Sequence, residues 1–78
     1  MEKILDMLKE IRPEFNFLGS TNFIEDGYLD SFDIVSLINM IEENYQITID
    51  GLDVIPENFY SIESISKLII KSGGKIEN

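Results

Sequence analysis

The 78-residue sequence has no cysteine and no histidine, and only two prolines. Without cysteine there is no disulfide, no thiolate nucleophile and no zinc–thiolate site. Without histidine there is no imidazole base or imidazole ligand. Any thiol chemistry must therefore come from an attached group. No apolar run approaches the ~20 residues of a membrane span. Met1-Glu2-Lys3-Ile4-Leu5-Asp6 has acids where a secretory signal carries bases and then an apolar stretch. The expectation is a cytoplasmic protein that does not insert into membranes. Calcium is poorly served as well, since neither Asp26-Gly27 nor Asp50-Gly51-Leu52-Asp53 opens a loop with EF-hand acid spacing.

Bases are scarce, and their placement matters more than their number. Six bases stand against 15 acids, for a net charge of −9. All six (Lys3, Lys9, Arg12, Lys67, Lys71 and Lys75) lie near the two ends. Between Pro13 and Ser66 there is no base, while Glu14, Glu25, Asp26, Asp30, Asp33, Glu42, Glu43, Asp50, Asp53, Glu57 and Glu63 are all acidic. Such a region repels nucleic acid and anionic membrane and attracts proteins with basic patches.

What is present is enough for one small domain. Hydrophobic residues make up 44% of the chain, a globular rather than a disordered composition. Ile4, Leu5, Leu8 and Ile11 have helical spacing and predict a helix from Met1 to Ile11, ended by Arg12-Pro13. The connection from Pro13 to Asp30 is long, but Phe15, Phe17, Leu18, Phe23 and Ile24 predict that it packs over the other elements. Gly19 to Asn22 reads as a turn. Gln46 to Asp50 alternates like a strand but has no partner strand, so an extended loop anchored by Ile47 and Ile49 is expected. Pro56 opens a short helical turn to Tyr60. Ser61 caps a last helix whose Ile62, Ile65, Leu68 and Ile69 face inward and which Ser72-Gly73-Gly74 stops.

The most informative stretch runs from Asp26 to Tyr45. Gly27 marks a turn, Asp30 has the chemistry of an N-cap for Phe32 or Asp33, and Ser31 becomes the first helical residue. Leu29 and Ile34 occupy the two staple positions, and Asp33 adds charge that the helix dipole favours. At ~100° per residue, Ile34, Leu37, Ile38, Ile41 and Tyr45 form the expected core stripe. Phe32, Ser36 and Met40 form a second line away from it, a surface suited to a partner unless another helix covers it.

Gly27-Tyr28-Leu29-Asp30-Ser31-Phe32, followed by this acidic helix, resembles the attachment site of acyl and peptidyl carrier proteins. The resemblance extends over nearly the whole chain, including Pro56-Glu57-Asn58-Phe59 and the closing helix. It implies an all-α fold: a small four-helix bundle of three main helices plus one short helical turn, with a long ordered loop between helices one and two. Residues 1–74 would be the carrier domain and 75–78 a frayed tail. It further implies that Ser31 carries 4′-phosphopantetheine, derived from coenzyme A, through a phosphodiester, and that Asp30 assists the transferase. The family's docking positions fall on Phe32, Val35, Ser36, Asn39, Met40, Glu42 and Glu43, with Asp33 on their border.

The implied partners are a phosphopantetheinyl transferase, an acyl- or aminoacyl-loading ligase and downstream synthase enzymes with basic patches. The carrier itself would be monomeric and not an enzyme. Phe32 stands where leucine is usual and Ser36 where an acid is frequent. The cargo is therefore open between acyl chains and an aminoacyl (D-alanyl or peptidyl) group. A different reading of the same residues is a non-enzymatic acidic helical adaptor, in which Asp30-Ser31 is only a helix cap.

Overall fold

The computed structural model describes residues 2–76 and is all-helical, with no strand among the described residues. Three α-helices carry the frame: α1 (Glu2–Ile11), α2 (Ser31–Tyr45) and α3 (Ile62–Lys71). Three 3-10 turns lie between them, at Phe17–Gly19, Gly51–Asp53 and Pro56–Phe59. The expected fourth helical element is thus a single 3-10 turn, opened by Pro56 at its start and packed on α3. Helix α1 packs against both α2 and α3. The Cα radius of gyration is 11.3 Å, close to the ~11–12 Å of a compact domain of this length.

The helices form where caps and apolar spacing agree. Ser61 accepts from the Ser64 N–H at the start of α3. At its end Gly74 N–H reaches the Ile69 carbonyl and Gly73 N–H that of Ile70, a Schellman closure. Gly73 takes φ +98° there, a conformation that a Cβ disfavours. Helix α2 instead closes on Gln46, which holds the left-handed region at φ 55° without being glycine. Beyond α3, Ile76 is half-buried against the core. Glu77 and Asn78 of the expected tail lie outside the described residues, as does Met1 of the expected first helix.

The core is shared by helices and loops. Ile4, Met7 and Leu8 of α1, Leu37 and Ile41 of α2, and Ile65, Leu68 and Ile69 of α3 are buried together. Phe17, Phe23, Leu29, Ile49 and Phe59 join them from the connections. Each such side chain stabilises the fold by roughly 1.5–3 kcal/mol, so the long Pro13–Asp30 connection is part of the packed interior. Its rings interlock: Phe15 stacks on Tyr28 at 4.4 Å, and Phe17 meets Phe23 edge-on at 5.0 Å. The Phe23 carbonyl accepts from Tyr28 and Leu29, while its N–H donates to Tyr60. The chain that enters α2 is therefore fixed at several points.

Three side chains depart from expectation. Leu18 is exposed, because a 3-10 turn advances each side chain by about 120° and Phe17 already points inward. Met7, absent from the expected core, lies against α2, with the Asn44 amide 3.8 Å from its sulfur. Met40 is half-buried against the core instead of standing on an outer line, since α1 also covers that edge of α2. Of the expected α2 stripe, Leu37 and Ile41 are fully buried and Ile34, Ile38 and Tyr45 half-buried around them.

Candidate functional site

Ser31 is the first residue of α2 and is exposed, and among the described residues no partner holds its hydroxyl. The turn that delivers it is built from short-range polar contacts. The Asn22 side-chain oxygen accepts from Ile24 and Glu25 N–H, and Gly27 adopts φ +75° to reverse the chain. Leu29 is then buried and Asp30 extended, so that the helix begins at a defined point.

Asp30 and Asp33 secure that point reciprocally. Asp33 N–H donates to Asp30 Oδ1 at 2.9 Å, and Asp30 N–H donates to Asp33 Oδ2 at 3.1 Å. This is a capping box with aspartate in both roles. The Asp30 carboxyl is held below the usual carboxylate range chiefly by the Asp33 N–H, which outweighs the opposing desolvation, with the charge of Arg12 adding to the lowering.

Arg12 joins the two carboxylates from the end of α1. Its Nε donates to Asp33 Oδ2 at 2.9 Å and its Nη2 to Asp30 Oδ2 at 3.2 Å. Its Nη1 stands 3.6 Å from Glu14. The bond to Asp33 is the main reason the guanidinium is raised above its ordinary value. Sequence spacing gave no sign of this contact, which spans 21 residues. The signal was the isolation of Arg12, the last base before a long acidic stretch.

The expected docking residues divide into two groups. Phe32 is 83% exposed and Val35 58%, and Ser36, Asn39 and Glu43 are exposed beside them. At ~100° per residue these five share one outward face of α2. Asp33, Met40 and Glu42 are turned to the protein itself. Asp33 is 8% exposed, held by Arg12 and the Asp30 N–H. Glu42 Oε2 accepts the Ile49 N–H at 2.9 Å and so ties down the segment after α2. The outward face thus presents two large apolar side chains and one acid, with Asp30 exposed at its leading end.

Where α1, α3 and the Phe17–Gly19 turn meet, Leu5, Leu18 and Ile62 line an open groove together with Glu2 and Glu63. It shares no residue with the Ser31 site. No helix among the described residues is long and apolar enough to cross a membrane. No family model, curated protein or solved structure matches the chain.

Proposed function

We propose that this protein is a phosphopantetheine carrier in which Ser31 bears the arm and presents acyl intermediates to partner enzymes. The observation that supports it most is the state of Ser31: an exposed hydroxyl with no partner among the described residues, at the first position of a long helix locked by a capping box. The 4′-phosphopantetheine arm supplies the thiol that this cysteine-free chain lacks, and holds the cargo as a thioester. The residues present fit such a group. The start of α2 offers the positive end of the helix dipole to a phosphodiester, and Arg12 is held beside the adjacent Asp30.

In this reading the chain is a substrate, and it contributes placement. No base near Ser31 can take its proton, since its neighbours Asp30 and Asp33 are capping residues. The transferase would remove the proton as the serine oxygen bonds to the pantetheine-side phosphorus of coenzyme A, while the pyrophosphate P–O bond breaks and 3′,5′-adenosine diphosphate leaves. Asp30, exposed and ionised, meets the transferase. Phe32, Val35, Ser36, Asn39 and Glu43 form the docking face for basic patches on the transferase, the loading ligase and the synthase. The carrier acts as a cytoplasmic monomer, and its strongly acidic middle keeps it off nucleic acid. The all-helical fold of the described residues supports this reading, in which the 3-10 turn at Pro56–Phe59 would take the place of the bundle's fourth helix.

The test is an intact-mass measurement. Apo protein is incubated with coenzyme A, magnesium and a broad-specificity phosphopantetheinyl transferase. A mass increase of one arm, absent in Ser31→Ala, is expected. No increase would return the protein to the reading of an acidic adaptor. The mass of the loaded form taken from cells then distinguishes an acyl from an aminoacyl cargo.

A further inference from the structure

The carrier reading leaves an electrostatic question at the start of α2. Asp30 and Asp33 bracket Ser31 in the chain, and Glu14 is drawn to the same place. A phosphodiester on Ser31 adds a further anion one residue from the Asp30 carboxylate. The helix dipole offsets part of this, roughly half a charge spread over the first turn. Among the described residues, Arg12 is the cation that contacts this group. Lys3 is occupied at the other end of α2, with the Asn44 carbonyl and the Tyr45 ring. Lys67 pairs with Glu63 and Lys71 with Asp53.

Arg12 is also placed with little freedom. Its backbone N–H closes the last turn of α1 on Leu8, and its carbonyl accepts from Phe15. Pro13 follows directly and restricts its backbone to extended conformations. Its guanidinium uses all three nitrogens on carboxylates, yet its side chain keeps 35% of its surface open to solvent. It can therefore act on a neighbouring anion without giving up its partners.

Resting on the carrier reading, we propose that Arg12 is a positioning and charge-compensating residue for the modified serine. It has two separable actions. Its fork of hydrogen bonds holds the capping box in both apo and holo protein. Its charge offsets the crowding of anions that appears only when Ser31 carries the phosphodiester. A lysine in its place keeps the charge and loses the fork; a glutamine loses the charge.

The experiment compares melting temperatures of apo and holo protein, without cargo, for the wild type, Arg12→Gln and Arg12→Lys at low and high salt. Loading is first verified by mass. Arg12→Gln should lower the holo form more than the apo form at low salt, by an excess of roughly 2–4 °C for an exposed ionic interaction in a domain of this size. The excess should shrink at high salt through screening. Arg12→Lys should lower both forms but remove the excess. Equal losses in apo and holo protein for both variants would overturn the proposal and leave Arg12 a tie between α1 and α2. Failure of wild-type Ser31 to accept the arm at all would overturn the carrier reading, and this proposal with it. Loading is thus the outcome that tells the two failures apart.

Discussion

Asp30 and Asp33 each cap the other's backbone, at 2.9 and 3.1 Å, and together they set where α2 begins. Because the Asp30 carboxyl is held below its usual range, its contribution to stability is complete above about pH 4 and is lost as pH falls through the depressed folded value. Asparagine caps about as well as aspartate but does not titrate. Asp30→Asn should therefore melt less pH-dependently than the wild type between pH 7 and pH 3. Parallel melting curves against pH would show that the cap does not depend on ionisation.

Ser31→Ala should abolish loading and leave the fold intact, with a stability change within ~0.5 kcal/mol, because the side chain is exposed and has no partner among the described residues. Circular dichroism and intact mass check both halves of this expectation. A variant that still gains the arm would move the attachment site elsewhere.

Docking on α2 should separate into a long-range and a short-range part. Glu43→Lys should slow association with the transferase, and the deficit should fall as salt rises, because screening weakens the native attraction. Phe32→Ala should chiefly speed dissociation, with little salt dependence, through loss of an exposed apolar anchor. Glu42 is the wrong residue for a charge reversal, since its carboxylate holds the Ile49 N–H and the effect would mix docking with folding. Stopped-flow binding at two ionic strengths measures both rates. Unchanged association of Glu43→Lys at low salt would show that its charge does not steer partners.

Phe59 tests the structural share of the connections. It is fully buried although it belongs to a 3-10 turn of four residues. Phe59→Ala should cost roughly 3–5 kcal/mol in denaturant unfolding, as for a large core residue replaced by alanine. A loss below about 1 kcal/mol would mean that the segment before α3 opens independently of the rest.

The parts legible in the sequence are those decided within a few residues. The Asp30 cap, the helical start at Ser31, the Ser61 cap and the glycine stop after α3 each depend on backbone geometry and one nearby side chain. The inward residues Leu37, Ile41, Ile65, Leu68 and Ile69 followed from spacing, because a helix repeats its faces regardless of what covers them. The fate of the edges did not follow. Met40 lies partly inside and Phe32 outside, although both belong to one line and stand eight positions apart, because only the approach of neighbouring elements decides how wide the covered stripe is. The polar roles were hidden for the same reason. Asp33 and Glu42 read as surface acids until Arg12, 21 residues away, and the returning chain at Ile49 were brought beside them. Local chemistry determined that a serine begins this helix. Tertiary packing decided which charges surround it, because an ion pair depends on distance in space and not on separation along the chain.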